Sequence, residues 1–506
     1  MQTGSPSTRP GTSPKARKRR PQQRQAAPPK PSLFDQAGIT AVDPAPFDTL
    51  GLPRSIVTEL AGQGLTEAFP IQAATIPDAL SGHDVLGRAQ TGSGKTLAFG
   101  LPMLTALSGS SSKPQHPRGL VMVPTRELAT QVTNSLKPMA KALGLHVREI
   151  VGGMSFSRQA ETLRRGVDLV VATPGRLNDH ARQGTCVLSE IERTALDEAD
   201  QMADMGFLPQ IRELLDRIPA GQRLLFSATL DRDVDRLVRE YMSEPVVHSM
   251  APSEATVDTM NHHQLNVSAE DKHDVLARIA ARDGRTILFV RTKHNADRLT
   301  KKLRAVGVRA GALHGGKAQN ARTRILDEFR EGSTRALVAT NIAARGIHVD
   351  DVSLVVHVEP PADPKDYLHR AGRTARAGAT GTVVTLVTDD QRAAFRTMTT
   401  KAGVEPTVTK VNSHGEALAR VTGAREPSGV AVPEPKANPS TPRRSGGKPG
   451  GKPSSAPGGK PGGKPGGAPG GKPGGSSNGA PGGKPQGDRR RRGGPGDRTK
   501  QRGSTS

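Results

Sequence analysis

Cysteine and long apolar runs are nearly absent from this 506-residue chain. Cys186 is its single cysteine, which excludes an internal disulfide framework and suits a reducing cytoplasm. We expect Cys186 to be a shielded structural residue. No run of about 18 apolar residues occurs, so no membrane-spanning helix is predicted. The first thirty residues lack an apolar core, so we expect no signal peptide and a cytoplasmic protein. The Trp-free composition, rich in Gly, Ala and Arg, favours a bacterial source.

Aromatic residues are also scarce: the chain has no Trp, two Tyr and ten Phe. Proteins that hold single-stranded nucleic acid by base stacking need exposed aromatic platforms, and few are available here. If the protein binds nucleic acid, we therefore expect it to contact mainly the sugar-phosphate backbone, with weak sequence preference.

Positive charge is concentrated at the two ends of the chain. The net charge is +24; residues 1–34 carry eight Lys or Arg and no acid, and residues 433–506 carry sixteen Lys or Arg and three acids. The C-terminal stretch repeats GGKP six times, a composition that cannot form a core. Such tails favour a nucleic acid partner, with a solubilising role as the alternative. The run KARKRR (15–20) would be a nuclear signal in a eukaryote.

Short β-branched runs alternate with helix-like stretches through the middle of the chain. The pattern occurs twice, over about 45–245 and about 265–400, and is typical of parallel sheets covered by helices on both faces. We predict an α/β fold of two domains with a cleft between them. The predicted divisions are 1–40, a disordered basic tail; 41–245, the first domain; 246–264, a linker; 265–412, the second domain; and 413–506, a disordered Gly/Pro/Lys/Arg-rich tail.

The segment AQTGSGKT (89–96) has the spacing of a phosphate-binding loop, except that Ala89 takes the first glycine position. Lys95 supplies a point charge for the β- and γ-phosphates of a nucleotide, and Thr96 supplies a hydroxyl for Mg²⁺. A glycine-rich turn by chance is the alternative, and the Gly-Lys-Thr ending argues against it. The predicted nucleotide-binding residues of this loop are Ala89, Gln90, Thr91, Gly92, Ser93, Gly94, Lys95 and Thr96.

The string LDEAD (196–200) follows another strand-like run about a hundred residues later. An acid at a strand end beside a phosphate loop is the usual second anchor for Mg²⁺, and Asp197 fits this role. Glu198 is placed to orient an attacking water and accept its proton. A charged loop is the alternative for so short a string, but its pairing with a phosphate loop favours catalysis.

Weaker motifs follow or lie near several other strands. PTREL (124–128), GG (152–153) and TPGR (173–176) offer backbone N–H groups at helix starts and tight turns, where phosphates bind. Together they indicate more phosphate contacts than one nucleotide needs.

The segment YLHRAGRTARAG (367–378) places Arg370, Arg373 and Arg376 three residues apart among glycines. A solvated basic helix face is the alternative interpretation. Arginines carried from the second domain to a nucleotide on the first would instead act as arginine fingers, which stabilise charge during phosphoryl transfer.

Taken in order, these motifs resemble those of the DEAD-box ATP-dependent RNA helicases of superfamily 2. The resemblance covers about residues 45–400 and includes the string Asp-Glu-Ala-Asp at 197–200. It implies two tandem RecA-like domains, ATP and Mg²⁺ as cofactors, and RNA as partner. A monomer is expected, and ribosomal or RNA-decay ribonucleoproteins are further candidate partners.

The family's adenine-recognition motif is matched by GLTEAFPIQ (64–72), with Phe47 seventeen residues before Gly64. By resemblance, Gln72 reads the adenine edge and Phe47 packs against the ring. A glutamine side chain pairs with both a donor and an acceptor, which favours ATP over GTP.

The resemblance also assigns roles residue by residue. Ser227 and Thr229 match the motif that couples hydrolysis to unwinding, and His369 belongs to the arginine-finger motif. The implied catalytic residues are Lys95, Asp197, Glu198, Arg373 and Arg376, and the implied metal ligands are Thr96 and Asp197. The implied RNA contacts are Arg126, Gly153, Thr173 and Arg176 in the first domain, and Arg291, Thr292, Gln319, Arg322 and Thr340 in the second.

The segment ATNIAARGIHVDD (339–351) resembles the family motif TDxAARGxD, with Asn341 and His348 in place of its two acids. In the family the second acid bonds the ribose of ATP, so Gly346 and His348 are expected near the nucleotide. Histidine makes one hydrogen bond where a carboxylate accepts two. A lost contact of this kind costs on the order of 0.5–1.5 kcal/mol, so ATP binding should be weakened with the chemical step intact.

Three functional hypotheses follow. An RNA-dependent ATPase that separates short duplexes or remodels RNA–protein complexes is favoured by the full motif set. An RNA chaperone or clamp with slow turnover is the alternative, supported by the cationic tails and the altered ribose loop. A DNA helicase of the wider superfamily is disfavoured by the adenine motif and the 197–200 string.

The histidine at the ribose position gives a direct test. We expect His348→Asp to lower the Michaelis constant for ATP with little change in turnover number, because the carboxylate restores a second hydrogen bond. Steady-state ATPase kinetics check this. An unchanged Michaelis constant would mean that ribose is contacted elsewhere.

Overall fold

The computed structural model describes residues 1, 4, 33–89, 92–250, 260–344, 349, 351–375 and 380–434. Sixteen strands are present in this part of the chain. They are β1 (Ala45–Pro46), β2 (Glu67–Ala68), β3 (Val85–Arg88), β4 (Gly119–Met122), β5 (Val147–Ile150), β6 (Leu169–Ala172), β7 (Arg193–Asp197), β8 (Gln222–Ser227), β9 (Val246–Ser249), β10 (Met260–Asn266), β11 (Arg285–Phe289), β12 (Ala310–Leu313), β13 (Ala336–Ala339), β14 (Val352–His357), β15 (Gly381–Val387) and β16 (Thr407–Lys410).

The first large sheet has seven parallel strands in the order β5-β6-β4-β7-β8-β3-β9. Its strands β4 and β6 are apolar and buried throughout because both faces of the sheet are covered there. Successive side chains point to opposite faces: Val121 belongs to one apolar cluster, and its neighbours Leu120 and Met122 belong to the other. Because the strands are parallel, the loops that follow them gather along one edge of the sheet.

The second large sheet also has seven parallel strands, in the order β12-β13-β11-β14-β15-β10-β16. Each strand occupies the place of the first-sheet strand seven numbers earlier, so the two domains share one topology. Leu288 packs on one face, and Ile287 and Phe289 pack on the other. The predicted α/β class with two tandem parallel-sheet domains is confirmed.

Helices cover both sheets. Those preceding or packing on the first sheet are Leu33–Ala37, Arg54–Gly62, Pro70–Leu80, Lys95–Leu107, Arg126–Ala142, Phe156–Arg164, Pro174–Arg182, Ala199–Asp204, Leu208–Leu215 and Arg232–Tyr241. Those of the second domain are Lys272–Ala280, Lys293–Ala305, Gln319–Arg330, Asn341–Ala344, Pro364–Ala371, Arg392–Lys401 and Glu416–Thr422. Short 3-10 helices lie at Phe47–Thr49 and Asp389–Gln391.

Side chains at helix starts fix several of the loops that matter below. The Thr125 hydroxyl accepts a hydrogen bond from the Leu128 N–H, and the Asp231 carboxylate accepts one from the Val234 N–H. Thr292 and Asp363 do the same for Asn295 and Asp366. Each bond satisfies a backbone donor that the helix itself leaves unpaired.

The structure corrects the expected extent of the N-terminal tail. Helix Leu33–Ala37 lies within the 1–40 segment, and its Phe34 is buried beneath the Arg88 guanidinium, 5.3 Å from the ring centroid. Backbone bonding continues at Thr40, whose N–H donates to the Ser249 carbonyl at 2.7 Å. The sequence did not predict this attachment of the N-terminal segment to the first domain, because a single apolar pair in a polar tail is a weak signal for burial.

The other two boundaries also shift. Strand β9 and the start of β10 lie inside the expected 246–264 linker because both join the sheets. Helix Glu416–Thr422 lies inside the expected 413–506 tail, where Leu418 is buried in the second core. Residues 251–259 of the linker and most of the two tails, 5–32 and 435–506, lie outside the described residues.

No helix within the described ranges is long and apolar enough to cross a membrane.

Candidate active site

The phosphate-loop segment lies between β3 and helix Lys95–Leu107, as the sequence predicted. Gly92 and Gly94 have φ values of 93° and 84°, a left-handed conformation that favours glycine. A Cβ on Gly94 would also lie 2.3 Å from Nε2 of Gln72, so a larger residue has no room. Gln90 and Thr91 lie outside the described residues. The loop can therefore present its backbone N–H groups to phosphates.

Lys95 and Glu198 form a buried ion pair. The Lys95 Nζ lies 2.9 Å from Oε1 of Glu198 and donates to the Ala89 carbonyl at 3.2 Å. Burial alone would lower the pKa of Lys95, but Glu198, Asp197 and Asp200 raise it above its usual value. The ammonium group is thus kept charged in the place where nucleotide phosphates would arrive.

Asp197 ends β7 and is 3 % exposed. Its Oδ1 has no hydrogen-bond partner among the described residues. Burial raises the pKa of this carboxyl group, and Lys95 offsets the effect only in part. A buried carboxylate with an unsatisfied oxygen is suited to a hard cation such as Mg²⁺.

A pocket of about 360 Å³ brings the predicted ATP-site residues together. Its lining includes Gly92, Gly94, Lys95, Thr96, Asp197 and Glu198. Thr96 and Asp197 therefore face one space and fit the two-ligand Mg²⁺ site that the sequence implied.

Asp200 connects the 197–200 string to the segment after β8. Its Oδ2 accepts hydrogen bonds from the N–H and the hydroxyl of Thr229, both at 2.9 Å, and its own N–H donates to the Ser227 hydroxyl at 3.2 Å. Glu198, which belongs to the same 197–200 string, has φ 55° and ψ 50°, an uncommon backbone conformation for a non-glycine residue. Such strain is retained where surrounding contacts fix it, and it is concentrated at functional sites.

The adenine-motif residues Gln72 and Phe47 have partners within the first domain, and their predicted contacts with adenine stay predictions. Gln72 donates to the Gly94 carbonyl at 2.9 Å and accepts from the Phe69 N–H at 2.9 Å, so it braces the phosphate loop. Phe47 is only 2 % exposed and packs in the first-domain core. Phe69, which the sequence analysis passed over, is 54 % exposed, and its ring lies against Gly94. The aromatic face open to a ligand beside the loop is therefore that of Phe69.

The predicted RNA contacts of the first domain cluster at the carboxyl edge of its sheet. Gly153 has φ 77°, and a Cβ there would lie 2.0 Å from Nη1 of Arg126. Arg176 donates to the Met154 carbonyl at 2.9 Å. Thr173 is buried at the start of helix Pro174–Arg182. Arg126 and Arg176 thus place two positive charges beside the turn that contains Gly153, and this group is called the cationic surface below.

Two predicted RNA contacts of the second domain meet this surface directly. Arg126 donates to Oε1 of Gln319 at 3.2 Å. Glu127 accepts from Gln319 at 3.0 Å and from Arg322 at 2.8 Å. Burial would raise the pKa of Glu127, but the bonds from Arg322 and Gln319 lower it below its usual value. Glu127 was missed by the sequence analysis, although it is the neighbour of Arg126 in PTREL.

The remaining second-domain residues are not drawn into that cluster. The Arg291 guanidinium donates to the Pro360 carbonyl at 3.3 Å, Thr292 caps its helix, and the Thr340 N–H donates to the Leu313 carbonyl. Asn341 donates to Asp366 at 2.5 Å, so this substituted residue braces the second domain internally.

Of the predicted finger residues, Arg373 is buried and its Nε donates to the His369 carbonyl at 3.4 Å. Arg376, Gly346 and His348 lie outside the described residues, so their predicted roles stay predictions.

A phosphate loop, a paired acid and a second domain of the same topology define a tandem-domain nucleotide hydrolase. The chain matches two protein families, the DEAD/DEAH box helicases over residues 69–237 and the helicase conserved C-terminal domain over residues 271–378.

Curated relatives agree. A DEAD-box ATP-dependent RNA helicase CshA from Geobacillus kaustophilus is 39% identical over 345 residues, covering 68% of this chain and 73% of that protein. A chloroplastic DEAD-box ATP-dependent RNA helicase 3A from Zea mays is 40% identical, but the match covers only 47% of its length. The chain belongs to the DEAD-box ATP-dependent RNA helicase family.

Solved structures share the fold. S. cerevisiae Dbp5 bound to RNA and ADP BeF3 superposes with a TM-score of 0.65 at 30% identity, covering 75% of this chain and 99% of that chain. Mss116p bound to ssRNA and AMP-PNP gives a TM-score of 0.62 at 26% identity, covering 74% and 82% respectively.

Substituting Phe47 and Phe69 one at a time distinguishes a side chain that packs in the core from one that is open to a ligand. We expect Phe47→Ala to lower the free energy of unfolding by about 3–5 kcal/mol, because it empties a core position. We expect Phe69→Ala to change it by only about 0.5 kcal/mol while weakening ATP binding, because that ring is exposed beside the loop. Urea unfolding and nucleotide titration measure the two effects. Tighter or unchanged ATP binding by the Phe69 variant would contradict this assignment.

Proposed function

We propose that this protein is an ATP-dependent RNA helicase that locally unwinds short RNA duplexes or remodels RNA–protein complexes. The observation that carries the proposal is the pocket that joins Lys95, Asp197 and Glu198, in a molecule whose predicted RNA contacts bond across the cleft. Family membership supports the same activity, and the weak sequence preference follows from contacts with backbone phosphates.

The ion pair at the site suggests how ATP starts the chemistry. Lys95 holds Glu198 in place, so the carboxylate is neutralised and its oxygen is occupied. Phosphates of ATP would draw Lys95 toward themselves, and Glu198 would then be released to orient a water and take its proton. Thr96 and Asp197 would hold Mg²⁺, which neutralises charge on the phosphates when bound.

RNA would compete for the side chains that bridge the cleft. Arg126, Gln319 and Arg322 are now satisfied by one another and by Glu127. Phosphates of a bound strand would replace Gln319 as the acceptor for Arg126, and Glu127 as the acceptor for Gln319 and Arg322. RNA binding therefore acts on both domains at once, which links it to closure of the cleft.

Asp200 would couple ATP hydrolysis to the segment after β8, which matches the motif that links hydrolysis to unwinding. It follows Glu198 by two residues and bonds Thr229 with the same carboxylate oxygen twice. A shift of Glu198 on hydrolysis would thus move the segment after β8, which leads into helix Arg232–Tyr241.

The activity is tested by ATP hydrolysis with and without RNA. We expect RNA to stimulate hydrolysis by the full chain and DNA to stimulate it less. Glu198→Gln should keep ATP and RNA binding but reduce turnover by at least about a hundredfold, because it removes the base.

Two results would decide between the enzyme and a passive clamp. Duplex separation that survives Glu198→Gln unchanged would favour an RNA chaperone or clamp. Binding of both ligands with no RNA-stimulated hydrolysis in the native chain would overturn the helicase proposal.

The cationic C-terminal stretch, 433–506, is proposed to tether RNA without sequence preference. Its sixteen Lys or Arg should release counterions on binding, which steepens the salt dependence of RNA affinity. Deleting it should flatten that dependence and leave hydrolysis without RNA largely unchanged. Filter binding over a range of salt concentrations measures the slope, and an equal slope for both chains would contradict the tether.

Cytoplasmic location, a monomeric state and ribonucleoprotein partners are parts of the same proposal. The curated relative from Geobacillus kaustophilus favours a bacterial setting. Sequencing RNA that is crosslinked to the protein in cells would identify its targets.

A further inference from the structure

Lys365 of the second domain contacts two separate segments of the first. Its Nζ lies 2.7 Å from Oδ1 of Asp204 and 2.9 Å from Oδ2 of Asp231. It is the second residue of helix Pro364–Ala371, which leads directly into Arg373. No sequence motif singled out this lysine.

The two acids are placed close to the chemistry along the chain. Asp204 ends helix Ala199–Asp204, which starts within the 197–200 string. Asp231 caps helix Arg232–Tyr241, two residues after Thr229. One ammonium group therefore connects the catalytic acids, the Thr229 segment and the helix that precedes Arg373.

The surroundings favour a charged contact. The side chains of Lys365, Asp204 and Asp231 are 37 %, 18 % and 34 % exposed. Burial would lower the pKa of Lys365, but the hydrogen bonds that it donates to Asp204 and Asp231 raise the pKa above its usual value. His369 on the next helical turn lies 3.7 Å from Oδ2 of Asp204. Separating the domains would break all of these contacts.

The two carboxylate oxygens of Asp231 accept hydrogen bonds from different partners. Its Oδ1 accepts the Val234 N–H at 3.0 Å, and its Oδ2 accepts Lys365. The cap holds the carboxylate in place before the lysine arrives, so little side-chain freedom is lost when the contact forms.

We propose that Lys365 is a positioning residue that docks helix Pro364–Ala371, and with it Arg373, onto the catalytic edge of the first domain. It thereby sets how readily the cleft closes on ATP and RNA. None of Lys365, Asp204 and Asp231 lines the pocket of Lys95 and Glu198, so the effect passes through the helix. This inference rests on the proposed helicase function.

The lysine contact is independent of the RNA-side cluster. Glu127, Gln319 and Arg322 join the domains through helices Arg126–Ala142 and Gln319–Arg330. Lys365 joins them through other helices on the nucleotide side. Removing Lys365 should therefore weaken closure without altering a predicted RNA contact.

The first test is Lys365→Met in the full chain, with RNA-stimulated ATPase as the readout. We expect the RNA and ATP concentrations for half-maximal rate to rise by about three- to tenfold, because two half-exposed ion pairs are lost. Lys365→Arg should restore most of the wild-type behaviour. Lys410→Met, an exposed lysine on edge strand β16, is the matched control and should behave as wild type.

Closure is measured separately by energy transfer between dyes on Lys141→Cys and Lys401→Cys, one exposed position in each domain. Cys186 is buried and should not be labelled. Lys365→Met should lower the closed fraction at fixed RNA and a non-hydrolysable ATP analogue. Its urea unfolding midpoint should match that of the control, which separates positioning from folding.

A double-mutant cycle identifies the partners. Asp204→Asn and Asp231→Asn should each reproduce part of the Lys365→Met effect, and asparagine keeps the cap at position 231. Adding either change to Lys365→Met should then have little further effect.

Fully additive effects would overturn the proposal, as would wild-type half-saturation and closure in Lys365→Met. If the native chain showed no RNA-stimulated hydrolysis, the proposed function would fail, and the closure assay would still decide the role of Lys365.

Discussion

The Lys95–Glu198 ion pair depends on which strands are neighbours. The phosphate loop follows β3, the acids follow β7, and the Thr229 segment follows β8, which lies between the other two in the sheet. Parallel strands deliver all three loops to one edge, so residues far apart in sequence meet within hydrogen-bond distance. The buried pair has two consequences. It gives the Glu198 carboxylate a counter-charge without ligands, and it makes the position of the base depend on where the lysine lies.

Polar side chains join the two domains at two places. On the RNA side, Glu127 neutralises Arg322 and accepts from Gln319; on the nucleotide side, Lys365 is shared by two aspartates. The Lys365 pairs are partly exposed and therefore individually weak, whereas the Glu127–Arg322 pair is buried. A charged ligand that competes for either set of partners changes the balance of the interface. An apolar seam of similar size would hold the cleft in one state. The interface chemistry is thus suited to a cleft that opens and closes.

The sequence predicted those parts of the molecule that local chemistry defines. A glycine-rich loop before a lysine, an acid at a strand end and alternating apolar runs each need only their own neighbours to be recognised, and all three lie where expected. The partners of Glu127 and Lys365 could not be found this way, because they come from another domain. Phe47 and Phe69 look alike in sequence, and only packing distinguishes a core ring from an exposed one. The anchor at Phe34 was missed for the same reason, since its burial depends on β9.

The two sheets share one topology but differ in the loop that follows one pair of equivalent strands. Strand β10 holds the place of β3, and Lys272 begins the helix after it just as Lys95 does. The five residues between, 267–271, contain no glycine, and the Asp271 N–H is already bonded to the Ser268 hydroxyl. Among the residues that the structure describes, the phosphate loop of the first sheet therefore has no counterpart at the equivalent position of the second. The consequence is an asymmetry between two halves of the same topology: of the two equivalent positions, only the one after β3 has glycines that let a loop close around phosphates.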